Sequence, residues 1–379
     1  MKKILIIGPA HPLRGGGITT FNHRLAKEFL AQGYDCLIVS FSLQYPSFLF
    51  PGKSQYSDEP PPEGITIHTL INSVNPLNWW TVGRKLKKWK PDLVIVRFWL
   101  PLMGPSLGTV LRQVKKNRHS RIICIADNVI PHEKRPGDKP FTRYFLKACD
   151  GFITMSEQVL NDLHNFEKKK PAHLVPHPLY DNFGGKISKA EARRRLQLPA
   201  HDKMLLFFGF IRRYKGLDLL LQAMADQRIN EQNIKLLIAG EFYEDEQIYE
   251  NLIDEFKLRD QVILHNHFIP DSDVQNYLCA GDCVVQPYRH ATQSGVTPLA
   301  YHFERPMIVT NVGGLPSLVP HLKSGLVTEP APQAIADAIV QFYTLGEDYF
   351  LPHILEEKKK LSWAGLTAAI FQLEKELNQ

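Results

Sequence analysis

Three cations fall within four positions at Arg212, Arg213 and Lys215, in a loop that opens at Gly209 and closes at Gly216. An apolar stretch, Met204–Phe208, runs into the loop, and Leu217, Leu219, Leu220 and Leu221 begin a helical pattern after it. A strand-to-helix loop of this kind sits at the C-terminal edge of a parallel sheet, where open α/β folds bind ligands. Arginine and lysine there suit an anion with several oxygens, such as a diphosphate, because charge-assisted hydrogen bonds to phosphate are strong. The competing reading is a solvated basic loop.

The chain opens in the same way. Lys3–Ile7 reads as a buried strand, Pro9 to Leu13 as a loop, and Gly15, Gly16 and Gly17 precede apolar residues at helical spacing from Ile18 to Leu30. Glycines let a backbone approach a ligand closely, and a helix N-terminus favours negative charge. The pattern is neither GxGxxG nor a Gly-Lys-Ser/Thr phosphate loop. A third loop, Gln293, Ser294, Gly295, Val296 and Thr297, is small and polar at a helix start, with no acid to repel phosphate. In the first half, Asp127, Asn128, His132 and Glu133 crowd into seven positions after a strand. Turn chemistry ahead of Pro131 is the competing reading, and a functional cluster is favoured over it.

Strand-like runs must position these loops. They fall at Lys3–Ile7, Asp35–Ser40, Ile65–Thr69, Leu93–Arg97, Arg121–Ala126, Gly151–Thr154 and His173–Val175, then at Met204–Phe208, Ile234–Gly240, Val262–His265, Cys283–Gln286 and Met307–Thr310. Helical patterns alternate with them, which predicts parallel α/β sheets. Pro171 to Gly185 reads as the crossover between a domain at 1–178 and one at 186–350. The amphipathic pattern over 356–379 predicts a single helix that packs back on the first domain. Ser188 and Glu191 form a capping box, and 46–63 reads as a long loop.

At 379 residues the chain suits two domains by the prior of about 150 residues each. With 44% hydrophobic and 22% charged residues it is an ordinary globular composition. A net charge of +6 fits anionic substrates or an anionic membrane surface, and is too small to argue for nucleic acid. Cys36, Cys124, Cys149, Cys279 and Cys283 form no CxxC pair, so they read as buried thiols in a reducing compartment. No secretory pattern opens the sequence and no run approaches the ~18 apolar residues of a membrane span, so a cytoplasmic protein is expected.

The order of the pieces resembles a retaining glycosyltransferase of family 4 (group 1). It rests on the N-terminal glycine loop, on Gly209, Arg212, Lys215 and Gly216, on Gly240-Glu241, on Phe268-Ile269 before Asp273, on Pro287-Tyr288, on Ser294-Gly295, and on Thr310 to Pro316. The resemblance implies the GT-B fold, α/β with two Rossmann-like domains whose parallel sheets face across an interdomain cleft. It implies transfer of a sugar from a nucleotide-diphosphate donor, UDP- or GDP-linked, to a glycan, lipid-linked or small-molecule acceptor. No metal or other cofactor is implied. Lys215 and Arg212 (or Arg213) would clamp the diphosphate and stabilise it as it leaves. Gly15, Gly16, Gly17, Gly209, Glu241, Phe268, Ile269, Gln293, Ser294, Gly295, Val296 and Thr297 would line the donor. His132 and Asp127 would assist at the transferred sugar, with Asn128 and Glu133 on the acceptor side.

Two departures stand out. Phe210 occupies the place of the family's first arginine, and the paired glutamates around the third loop are missing, with Leu299 near the place of the one that holds the ribose. A non-catalytic nucleotide-sugar or glycan binding protein of the same fold is therefore a rival reading. A dehydrogenase is disfavoured, since neither glycine loop fits GxGxxG with an acid about 20 positions on. Finally, Trp79, Trp80, Arg84, Lys85, Lys87, Lys88, Trp89 and Lys90 suit either peripheral contact with the inner face of an anionic membrane or a core-packed helix with a solvated basic face.

Overall fold

The computed structural model describes residues 1–14, 16–46, 54–57, 59–131, 135–291 and 294–379. Gly15, His132, Glu133 and Gln293, singled out above, lie outside the described residues, as do 47–53 and 58 of the 46–63 loop. The chain divides into two compact units, 1–178 with 362–379, and 179–361.

The first unit is built on strands β1 (Lys3–Ile7), β2 (Asp35–Leu43), β3 (Thr66–Asn72), β4 (Leu93–Phe98), β5 (Arg121–Ala126), β6 (Gly151–Thr154) and β7 (Ala172–Leu174). They form one sheet in the order β3-β2-β1-β4-β5-β6-β7, with every pairing parallel. Past their first residues β1 and β5 are apolar and buried, and β4 is buried from end to end with Arg97 its one charge, as strands covered by helices on both faces must be.

The second unit repeats the scheme with β8 (Met204–Phe208), β9 (Lys235–Ala239), β10 (Val262–His265), β11 (Cys283–Gln286), β12 (Met307–Thr310) and β13 (Gly325–Thr328). Their order is β10-β9-β8-β11-β12-β13, again all parallel. Strand order reverses direction beside β1 in one sheet and beside β8 in the other. The helices that follow β1 and β4, and β8 and β11, therefore run to opposite sides of their sheets and leave a crevice at each switch point.

Two elements differ from the sequence expectations. β13 was not anticipated: a four-residue edge strand carries too little pattern to distinguish it from a loop. The expected single helix over 356–379 is two helices, Glu347–Lys360 in the second unit and Trp363–Glu376 in the first. The break falls at Leu361 and Ser362, where the Ser362 hydroxyl accepts from the Gly365 amide at 3.0 Å and caps a new helix. Serine satisfies a helix start better than a helix interior. Trp363 then packs on Phe21 at 4.8 Å between ring centres, and Phe371 on Phe29 at 5.8 Å. The main chain leaves the first unit at Pro178 and returns at Ser362; Leu179 and Leu361, on the second unit's side of the crossings, are joined by an amide-to-carbonyl hydrogen bond of 3.0 Å.

Candidate active site

In the second unit the loop after β8 turns at Gly209, whose φ of +94° belongs to the left-handed region where glycine is unstrained. The Lys215 ammonium sits directly over that turn, 3.2 Å from where a Cβ on Gly209 would lie. A short 3₁₀ turn, Arg213–Lys215, folds the lysine inward and ends at Gly216, φ +67°. A Cβ on Gly216 would lie 2.0 Å from the Pro287 carbonyl oxygen, so only glycine lets the loop after β11 pass this close. The Arg289 amide donates to the Tyr214 carbonyl at 2.7 Å and its guanidinium pairs with Asp218 at 2.5 Å. The two switch-point loops are thus locked together around Lys215.

The three cations of the loop have separate fates. Arg213 is exposed; Arg212 is half-buried, its guanidinium 5.0 Å above the Tyr243 ring; Lys215 is only 9% exposed, with its ammonium 5.8 Å from the Tyr288 ring. Among the described residues none of the three has a carboxylate partner. The other buried cations do: Arg97 has Asp127, Arg193 has Asp282 and Arg305 has Glu347. Burial first, and the nearby Arg212 charge second, bring the Lys215 pKa from the ordinary 10.5 down to about 7.

That shift has a measurable sign. Between about pH 7 and 10.5 the unfolded chain holds a proton on Lys215 that the folded chain does not, so this group makes stability rise with pH across that window. A Lys215→Met variant is expected to be more stable than the parent at pH 6, with its advantage shrinking by up to about 1.4 kcal/mol per pH unit above pH 7. Urea denaturation of the pair at several pH values measures it; an advantage that does not change with pH would show that the lysine is charged throughout.

Around Lys215, Val296 approaches within 3.8 Å of the Gly209 Cβ position. Ser294 is buried, its hydroxyl accepting from the Val296 amide at 3.2 Å and lying 3.3 Å from the Tyr288 hydroxyl. The helix Val296–His302 therefore begins with one of its amides already occupied. Thr297 faces the core, hydrogen-bonded to Gln286 at 3.2 and 3.3 Å. Glu241 is buried, and its carbonyl accepts from the Ile211 amide at 2.9 Å. Phe268 stacks at 6.2 Å on Phe210, which stacks at 4.4 Å on Tyr243, giving a row of aromatic rings beyond the ends of β8, β9 and β10. Ile269 is buried, and Leu299 is buried in its helix.

In the first unit the corresponding edge holds a buried ion pair. Arg97, near the end of β4, donates from Nε to the Asp127 carboxylate at 2.9 Å and from a second nitrogen to its other oxygen. Its guanidinium lies 4.0 Å above the Phe21 ring. The third nitrogen, Nη1, is buried without a hydrogen-bond partner among the described residues, as is Asn22 Oδ1. A Cβ on Gly8 would fall 2.7 Å from Asn22 Nδ2 and 3.3 Å from Arg97 Cγ, so this glycine makes room for both side chains at the end of β1.

His177 packs edge-on against Phe21 at 5.2 Å and sends Nδ1–H to the Pro178 carbonyl at 2.7 Å. Burial, reinforced by the Arg97 charge against the pull of that hydrogen bond, lowers its pKa to about 4 and keeps it neutral. Gly16 and Gly17 open the helix Gly17–Ala31, which has neither a side-chain cap nor an acid in its first turn. Asn128 is half-buried beside Asp127, with its amide 3.4 Å from the Phe98 carbonyl. Asn22, Arg97 and His177 were not singled out in the sequence. Arg97 carried the one usable signal, a lone charge inside the apolar run Leu93–Phe98.

Residues 15–181 match the family described as Glycosyltransferase Family 4, and residues 188–359 match Glycosyl transferases group 1. This chain belongs to the group 1, family 4 glycosyltransferases. Among curated relatives, this family 4 chain is 28% identical to the D-inositol 3-phosphate glycosyltransferase of Corynebacterium urealyticum, over 56% of the chain and 53% of the relative. The match to the Corynebacterium glutamicum protein of the same name is 24%, over 58% and 56%. The chain thus spans about half the length of the curated relatives it matches. Among solved structures, sucrose-phosphate synthase from Thermosynechococcus elongatus superposes with a TM-score of 0.73 at 19% identity, covering 99% of both chains. HepE of Anabaena, in complex with UDP and glucose, gives 0.73 at 14%, covering 99% of this chain and 100% of its own. Both likenesses establish the fold, and the two parallel-sheet Rossmann-like domains are those of GT-B glycosyltransferases. The family 4 match spans the Arg97–Asp127 edge, and the group 1 match spans the Lys215 edge.

Proposed function

We propose that this chain transfers a sugar, with retention of anomeric configuration, from a UDP- or GDP-linked donor to a hydroxyl of a glycan, lipid-linked or small-molecule acceptor. The observation that carries the reading is Lys215, a buried cation with no carboxylate partner among the described residues. An isolated buried charge is costly, and a donor diphosphate supplies the missing counter-charge. That the HepE structure holds UDP and glucose supports a uridine-linked donor.

The bond between the anomeric carbon and the β-phosphate oxygen breaks, and a bond to the acceptor oxygen forms on the same face. The acceptor proton passes to the departing phosphate. Lys215 and Arg212 carry the growing negative charge of the leaving group, the role of fixed cations in transition-state stabilisation. In this reading they do so without a divalent metal. Gly209 and Gly216 let the backbone lie flat beneath the diphosphate, and the aromatic row ending at Phe268 borders the nucleotide end. Asp127, held rigid by Arg97, presents its carboxylate to sugar hydroxyls, with Asn128 beside it. His132 and Glu133 extend that set by sequence position.

Incubating the protein with a panel of nucleotide sugars, and measuring free nucleoside diphosphate by mass, tests the reading. One donor is expected to turn over, and a chelator should leave its rate unchanged. Donors that bind saturably without any release of diphosphate would make the protein a binder instead.

A further inference from the structure

The helix Pro76–Trp89 of the first unit has two faces of opposite character. Val82, Gly83 and Leu86 are buried, and Trp79 and Trp89 pack against the core. Trp79 is pinned by its indole N–H to the Asn72 carbonyl at 2.6 Å. A Cβ on Gly83 would lie 2.6 Å from Gln113 Cβ, so the neighbouring helix, Gly104–Lys115, seats closely along this side. The other face has no packing partner among the described residues. Leu77 is 79% exposed and Trp80 47% exposed, with Val74 just ahead of the helix at 51%. Nowhere else among the described residues do three large apolar side chains so exposed fall within seven positions.

Along the same stripe, one and two turns on, come Arg84, Lys85 and Lys88, all exposed, with the Arg84 guanidinium 4.4 Å above the Trp80 ring. Lys87 and Lys90 add to them. No acidic residue occurs between Glu63 and Asp92, nor from Leu93 to Ala126. The neighbouring helix therefore brings no opposing charge, and Lys116 and Arg118 at its end are exposed cations.

We propose that the Val74–Leu77–Trp80 tip and the flanking Arg84, Lys85 and Lys88 form a docking surface for an anionic lipid bilayer. The apolar tip enters the boundary between headgroups and acyl chains while the basic side faces the headgroup charge. A polyanion such as nucleic acid would use the cations but gives Leu77 and Val74 nothing to bury in, so the apolar tip decides for a bilayer. The surface lies within the first unit alone, and the proposal is independent of the sugar-transfer reading.

The test is co-sedimentation of the full chain with vesicles of an equal mixture of phosphatidylglycerol and phosphatidylcholine, against phosphatidylcholine alone, at low and high salt. Binding is expected to the anionic vesicles only and to weaken with salt. Arg84→Glu/Lys85→Glu/Lys88→Glu should abolish it, and Leu77→Ser/Trp80→Ser should weaken it at least tenfold, both with unchanged thermal melting. These residues are exposed, so the variants fold. Failure of the unmodified protein to bind anionic vesicles overturns the proposal. Retention by the charge-reversed variant overturns the location, and full retention by Leu77→Ser/Trp80→Ser reduces the patch to a site for any polyanion and overturns the bilayer.

Discussion

Replacing Lys215 by alanine is expected to slow sugar transfer by about 2–4 kcal/mol of barrier, roughly thirty- to a thousand-fold, the loss seen when one fixed charge or donor at a developing oxyanion is removed. The loop delivers one ammonium to the floor of the crevice, over Gly209, and no other cation of the loop is buried there. The same geometry ranks its neighbours. Arg212→Ala, which removes a half-buried guanidinium held over Tyr243, should show an intermediate loss, whereas Arg213→Ala, on an exposed side chain, should stay near the parent rate. Steady-state kinetics on the donor found in the panel, with circular dichroism to verify folding, measures all three. Equal rates for parent and Lys215→Ala would end the diphosphate assignment. The lysine's cost to the free protein and its use in turnover are the same fact: a buried ammonium without a carboxylate partner among the described residues favours an incoming anion.

The second large effect falls on stability. Arg97→Met strips the buried Asp127 carboxylate of both guanidinium hydrogen bonds, and breaking a buried pair from one side costs about 3–5 kcal/mol. Removing both charges together, as Arg97→Met/Asp127→Asn, should recover a large part of that, because neither partner is then left charged in the interior. Urea denaturation of the two single variants and the double variant closes the cycle. Losses that simply add, with no coupling between the sites, would mean that the pair is not the structural unit described here. In the transfer reaction the same Arg97→Met change should impair turnover beyond its effect on folding, since the guanidinium sets the direction of the Asp127 oxygens.

Most of the two sheets was legible because a parallel strand buried on both faces leaves an unbroken apolar run, as in residues 4–7 or 122–126. β13 escaped because Gly325–Thr328 is short and lies at an edge, so that pairing with β12 and not pattern defines it. The terminal amphipathic pattern read as one helix, since Ser362 changes hydrophobic periodicity very little while capping a new helix. At the site, the basic loop was visible from residue types alone, but which cation turns inward depends on the 3₁₀ turn and on the close approach at Gly216. The Thr297 hydroxyl is hydrogen-bonded to the Gln286 side chain, a pairing between a strand and the next helix that the small polar run around Thr297 does not reveal. Arg97 was hidden in the opposite way: in a strand of isoleucine and valine its partner lies thirty residues on, beyond any local pattern.

The return of the chain to the first unit at Ser362 has a consequence for synthesis. The helix Trp363–Glu376 covers Phe21 and Phe29, rings that precede it in the chain by more than three hundred residues. The sides of those rings that face it wait for it while those residues are made, whereas the second unit, a single uninterrupted stretch, has all its parts before that helix emerges. Order of manufacture and order of completion are thus reversed: the half begun first is finished last. A fragment ending at Pro178 would carry every strand of its sheet and still lack the helix that closes it.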